Sequence, residues 1–176
     1  MANEKADEAA RKGHQHQRYI RSFLTKSDAS QMAKSFAYEE TYRLWSLPTH
    51  QYQFLHSIDP HLRSRLSPRI PRQLETLYHR LRLNAAYTNG LRYRFGQMNS
   101  PHCDNCASIE TVEHILLECP AYANERAYYE HCMQKLCPVP LTMDKVLGPL
   151  ACFRQQRLAM NFLFTYLKDI GHLDKL

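Results

Sequence analysis

A mainly α-helical protein is expected from three features of the 176-residue sequence. Leucine occurs 22 times against 9 for valine and isoleucine together, and β-branched residues, not leucine, favour strands. Only 5 glycines occur. Apolar residues recur at helical spacing in several segments, most clearly after Pro71. Hydrophobic residues make up 44 % and charged residues 23 %, values of a folded chain and not of a disordered one. No apolar run exceeds the four residues from Leu150 to Phe153, so no membrane-spanning helix is expected. The first eighteen residues lack an apolar stretch of the secretory type, and an intracellular protein, nuclear or cytoplasmic, is the expectation.

The elements follow in order. Asn3 to Lys12 is a run of good helix formers with a break expected at Gly13, and residues 14–27 read as a linker. A helical, arginine-rich segment covers 28–99. Its first helix is expected to begin near Asp28, with Asp28 and Gln31 at capping-box spacing, and to run toward Leu47 before Pro48. Four prolines between 48 and 71 predict short helices and turns. After Pro71, the residues Leu74, Leu77, Tyr78, Leu81 and Ala85 define one buried helix face. Arg72, Arg80 and Arg82 project away from it, Leu83 fits neither side, and Asn89-Gly90 marks the expected end. Tyr122 to Leu136 reads as helix within a C-terminal region, 123–176, and Pro138-Val139-Pro140 reads as a connector. A last helix from about Phe153 to Ile170 turns Met160, Leu163, Phe164 and Leu167 to one side, with Gly171 as its cap. Phe162 and Tyr166 lie opposite, so this helix is buried all round or meets a partner.

Charge is segregated. Between His61 and Gly96 stand eight arginines (63, 65, 69, 72, 80, 82, 92 and 94) and one acid, Glu75, a net +7 in a chain of net +6. The rest of the protein therefore sums to −1. Arginine offers phosphate a planar fork of donors that stays charged. Tyr78, Tyr87, Tyr93 and Phe95 are interleaved and offer flat faces to unstacked bases. This pattern favours a polyanion, RNA or DNA, over a merely solvated face.

Six cysteines without a secretory segment point to a reducing compartment, where thiols bind metal or stay buried. Cys103, Cys106, His114 and Cys119 form C-x2-C-x7-H-x4-C within residues 100–122. Zinc takes four such ligands as a tetrahedron, and two cysteines across the Asp104-Asn105 turn supply one edge. A short helix starting near Glu110 or Thr111 carries His114. An i, i+5 pair does not converge on a regular helix, but Pro120 pushes Cys119 out of the helical region and lets it fold back. A hairpin-plus-helix unit around a structural Zn2+ is the expectation, with His102 and His131 as substitute ligands and Cys132, Cys137 and Cys152 as core cysteines. Four protein ligands leave no position for water, so the site is not expected to be catalytic.

Residues Arg92-Tyr-Arg-Phe-Gly-Gln-Met-Asn-Ser-Pro-His-Cys103-Asp-Asn-Cys106 and Ile109-Glu-Thr-Val-Glu-His114-Ile-Leu-Leu-Glu-Cys119-Pro-Ala-Tyr closely resemble the cysteine–histidine region that ends the reverse-transcriptase polyproteins of non-LTR, LINE-type (Jockey-like) arthropod retrotransposons. Thr142-Met-Asp-Lys-Val-Leu-Gly148-Pro and the closing stretch from Phe162 look like the tail of those polyproteins. Asn3-Glu4-Lys5-Ala6-Asp7-Glu8-Ala9-Ala10-Arg11 is similar to the last motif of a type-1 ribonuclease H domain, making residues 1–13 a remnant of it. Asp7 would then be the final metal-binding carboxylate, with the others upstream of Met1. One carboxylate cannot clamp two ions, so the resemblance implies no catalysis by this chain. It implies the C-terminal piece of a longer element protein, and the charge pattern makes that piece a nucleic-acid-binding module, with Arg72, Arg80, Arg82, Arg92 and Arg94 on phosphate and Tyr93 and Phe95 on bases. The alternatives are a module that docks on the upstream polymerase and ribonuclease H, or an inert truncated remnant.

Overall fold

A computed structural model describes residues 2–15, 25–49, 51–63, 70–138 and 140–176. Two compact units are present, residues 1–41 and 42–176. The division falls inside a helix, and most of the 14–27 stretch read as a linker lies outside the described residues. Among the described residues there is no strand, and no helix is long and apolar enough to cross a membrane.

The first unit contains α1, Ala2–Gln15, and most of α2, Lys26–Trp45. Helix α1 passes through Gly13 without breaking, because one glycine costs a helix only about 1 kcal/mol. Asp7 is exposed on it. The start of α2 is one turn earlier than the spacing of Asp28 and Gln31 suggests. Thr25 Oγ1 accepts from the Asp28 backbone N–H at 3.1 Å, while the Asp28 carboxylate accepts from the Thr25 N–H at 3.0 Å. This reciprocal pair is the capping box, and its hydrogen bonds hold the Asp28 carboxyl below its usual range.

The second unit holds the core. The end of α2 is anchored by Trp45, whose indole N–H donates to the Pro60 carbonyl at 3.1 Å. Helix α3, Gln53–Ile58, is followed by α4, Arg72–Arg82, which buries Leu77, Tyr78 and Leu81 as the periodicity requires. Helix α4 then stops. Asn84 takes φ 52° while the Ala85 N–H reaches the Arg80 carbonyl and the Asn84 N–H the Leu81 carbonyl, which is a Schellman ending. Leu83 and Ala85 consequently lie beyond the helix and are exposed, and Ala86 is the buried residue.

Asn89-Gly90, expected to end that helix, instead opens α5, Asn89–Arg94. Thr88 is its N-cap and accepts from the Leu91 N–H at 3.2 Å. Gly96, at φ 69°, closes it. The metal-ligand segment follows, then α6, Ala123–Met133, α7, Met143–Leu147, and α8, Phe153–Asp169. Gly171 caps α8 at φ 70°, as expected.

Leu147, Met160, Leu163 and Leu167 join Leu81, Ile115, Leu116 and Met133 in one core. A polar thread crosses it: Gln156 Nε2 donates to Tyr78 Oη at 3.0 Å, and Tyr78 Oη donates to the Leu147 carbonyl at 3.1 Å. Helix α7 approaches so closely that a Cβ on Gly148 would stand 2.6 Å from the Ile58 carbonyl oxygen. Cys132 and Cys137 are half-buried, but Cys152 is exposed and not a core cysteine, because it precedes the first turn of α8.

Candidate metal centre

Four side chains converge where the spacing places them. Cys103, Cys106, His114 and Cys119 bring their ligand atoms within 4.8 Å of one another, and could hold a metal ion. They form the one such cluster among the described residues. His102 and His131 are exposed and stand outside it.

The first edge comes from a tight hairpin. His102 and Ile109 pair as an antiparallel bridge, the Cys103 N–H donates to the Ser108 carbonyl, and the Glu110 N–H donates to the Pro101 carbonyl, both at 2.9 Å. The turn residues are fastened from outside. Asp104 Oδ1 accepts from Asn89 Nδ2 at 3.3 Å, and Asn105 Nδ2 donates to Tyr122 Oη at 2.7 Å.

The second edge comes from a helical turn capped by Thr111, whose hydroxyl accepts from the His114 N–H at 3.0 Å. His114–Glu118 is wound as a π-helix, closed by the Cys119 N–H donating to the His114 carbonyl at 2.8 Å. The wider winding brings positions i and i+5 together, as an α-helix would not. Cys119 then leaves the helix at ψ 119°, and Pro120 begins a 3-10 turn, Pro120–Tyr122. Both devices are used: the proline predicted from sequence and a π turn that no residue type announces.

Two of the ligand separations lie near those around a small four-coordinate ion. Cys103 Sγ and Cys119 Sγ are 3.9 Å apart, and Cys106 Sγ and His114 Nε2 are 3.2 Å apart. Metal–sulfur bonds near 2.3 Å and metal–nitrogen bonds of 2.0–2.1 Å make tetrahedral edges of about 3.8 and 3.6 Å. All six cysteines are free thiols. Burial pushes the Cys119 thiol up to about 11, with the neighbouring Cys103 adding to the rise. The Ser108 backbone N–H pulls Cys106 the other way. At neutral pH the metal-free Cys119 therefore keeps its proton, and a bound cation must displace it.

Outer partners complete the site, and sequence reasoning had missed them. Glu118 places a carboxylate oxygen 3.8 Å from His114 Nδ1, leaving Nε2 for the ion. Arg126 donates to the Cys119 carbonyl at 2.8 Å. Tyr122 shares a 2.7 Å hydrogen bond with the buried His172, and Tyr166 donates to the Ile115 carbonyl at 2.8 Å. The centre is thus tied to α6, to α8 and to the turn after α8. Thr111, three residues before His114, was the one partner with a legible signal, that of an N-cap.

The arginines divide. Arg82 does not project to solvent, as the helical wheel implied. Its side chain is 8 % exposed and pairs with Asp59 at 2.6 Å, so it belongs to the interior. The wheel failed because Asp59, after α3, supplies a buried countercharge that no local pattern shows. Arg80 is half-buried, with its guanidinium 4.7 Å from the Tyr87 ring centre. Arg72 and Arg94 are exposed and Arg92 is half-buried, while Tyr93 and Phe95 are 48 % and 66 % exposed. Arg65 and Arg69 lie outside the described residues.

Helix α5, which carries Arg92, Tyr93 and Arg94, is bolted to the hairpin. The Asn89 N–H donates to Glu110 Oε1 at 2.7 Å, Asn89 Nδ2 to the His102 carbonyl at 3.0 Å, and the Gly90 N–H to the Glu110 carbonyl at 3.1 Å. Gly90 is required there, since a Cβ would lie 2.6 Å from that carbonyl oxygen. No protein-family model, curated protein or solved structure matches this chain.

Proposed function

We propose that this chain is a zinc-stapled nucleic-acid-binding module of the kind that ends a LINE-type retrotransposon polyprotein, and that it performs no catalysis itself. The observation that carries the reading is the fastening of α5 to the metal hairpin through Asn89, Gly90 and Glu110. The ion shapes the hairpin, the hairpin orients α5, and α5 presents Arg92, Tyr93, Arg94 and the following Phe95. Zinc is the ion the donors favour: three thiolates and an imidazole in a closed tetrahedral set, with no open position. On this reading, arginine forks hold phosphate, and Tyr93 and Phe95 stack on bases of a single strand. Arg72 and Arg80 add to the same cationic field, and Arg82 keeps only a structural part. The nucleic acid is element RNA or target DNA.

The test is a salt titration of binding to a labelled single-stranded RNA and to duplex DNA. The logarithm of affinity should fall by roughly 0.7–0.9 units per phosphate contact for each tenfold rise in salt. Arg92→Gln with Arg94→Gln should shrink that slope by about 1.4 units on single strands and leave thermal stability unchanged. A flat salt response overturns the reading. A rival, docking on the upstream polymerase and ribonuclease H, is favoured by one observation: Met32 and Phe36, a turn apart on α2, are 62 % and 69 % exposed. Loss of such docking in Met32→Ser, Phe36→Ser, with RNA binding never detected, would favour that rival.

A further inference from the structure

Helices α6 and α8 form a groove of about 190 Å3, with the half-buried Phe162 on its α8 side and the buried Tyr166 at its base. Tyr129 and Tyr166 stack within it, ring centres 5.1 Å apart and planes 21° from parallel. Phe162 lines it as well, and Tyr128, 65 % exposed, extends the aromatic surface outward. Glu125 from α6 and Asp169 from the end of α8 also line it, beside Cys132 and Thr165. Neither carboxylate has an ion-pair or side-chain hydrogen-bond partner among the described residues. The adjacent cation on α6, Arg126, donates to the Cys119 carbonyl and also interacts with the Tyr166 hydroxyl.

We propose that this groove receives the cationic side chain, lysine or arginine, of a partner polypeptide. Two accessible rings, Tyr128 and Phe162, beside two unpaired carboxylates are the chemistry of an organic cation site: the rings offer negative faces, the buried Tyr129–Tyr166 stack offers a low-dielectric floor, and the acids offer countercharge. The size agrees, because 190 Å3 lies under the roughly 300–1,000 Å3 of pockets for larger ligands and matches a single side chain. The sign excludes phosphate, so nucleic acid is not the occupant even though the whole chain carries +6. Tyr128 gives residues flanking the inserted cation a surface to lie on, which a free amine would not use. The inference is independent of the nucleic-acid reading.

The experiment titrates the metal-loaded full chain, amide-labelled for NMR, with capped Gly-Gly-Lys-Gly-Gly, its arginine counterpart, its Nε-acetyl-lysine counterpart and a free diamine. Saturable shifts confined to Glu125, Tyr128, Phe162, Asp169 and their neighbours are expected with the lysine or arginine peptide. Acetylation should weaken binding by about tenfold or more, because it removes the charge the rings and carboxylates attract. Glu125→Gln with Asp169→Asn should do the same. Tyr128→Ala, which removes an exposed ring and leaves the core intact, should weaken binding by several-fold. Equal response to the acetylated peptide, an unchanged affinity in the carboxamide variant, binding of the diamine alone, or no saturable shift overturns the proposal.

Discussion

Removing the metal should unfold the second unit as a whole and not only the hairpin. The reason is where the ligands stand. Cys103, His114 and Cys119 are buried, and the residues between and after the last two, Ile115, Leu116 and Tyr122, are buried in the same core as α4, α6 and α8. Without an ion, thiols of Cys103 and Cys119 face each other across 3.9 Å with nothing to join them. Structural zinc contributes roughly 10–16 kcal/mol in isolated fingers, as much as the 5–15 kcal/mol that holds a typical domain together. The hairpin cannot come loose alone, because Asn89, Asn105, Tyr122 and Tyr166 connect it to α5, to the turn after α8 and to α8. Trp45, the single tryptophan, reports from the α2–α3 end of the same unit. Far-UV circular dichroism and Trp45 fluorescence, followed while a chelator withdraws stoichiometric metal, should change together with one midpoint. Complete metal release with an unchanged spectrum and melting temperature would refute the reasoning. So would loss of helix signal with Trp45 undisturbed.

Three further outcomes are expected. Arg82→Ala takes the guanidinium from the buried Asp59 carboxylate, which keeps the Arg63 N–H at 2.8 Å, and should cost about 3–5 kcal/mol in urea unfolding, whereas a change under 1 kcal/mol would place that pair in solvent. Gly148→Ala drives a Cβ against the Ile58 and Asp144 carbonyl oxygens, so a loss of roughly 1–3 kcal/mol or more is expected; a melting temperature within 2 °C of the parent, about the shift expected from 1 kcal/mol, contradicts the packing. Metal affinity should climb with pH, since the buried Cys119 thiol, held up to about 11, must lose its proton to bind. With three thiols in competition, log affinity rises by up to about three units per pH unit near neutrality, and a titration at pH 6.5, 7.0 and 7.5 that shows no trend removes thiolate ligation.

Much of the architecture was readable because it depends on local rules. Leu77, Tyr78 and Leu81 repeat at helical spacing and are buried on one face; Gly171 stands where α8 must turn left-handed; and the four metal ligands are close in sequence, so their meeting needs little more than a turn and a helix. The boundaries misread were those where two signals compete. Asn89-Gly90 has turn chemistry, yet Thr88 before it caps a new helix, and the actual stop at Asn84 needed only a residue that tolerates positive φ. Gly13 was given more weight than a single glycine has.

What the sequence determined by itself was the set of short-range facts: a helical chain, a Cys3His cluster within seventeen residues, and positive charge gathered between 61 and 96. Tertiary structure alone decided which arginines remain free, because Arg82 is neutralised by Asp59, 23 positions away. It also decided that α5 is held by Glu110 and that His172 reaches Tyr122 across 50 residues. Periodicity and ligand spacing act through a few bonds of backbone and survive in a one-dimensional reading. Burial, countercharge and second-layer hydrogen bonds arise between segments whose approach only the packed core specifies.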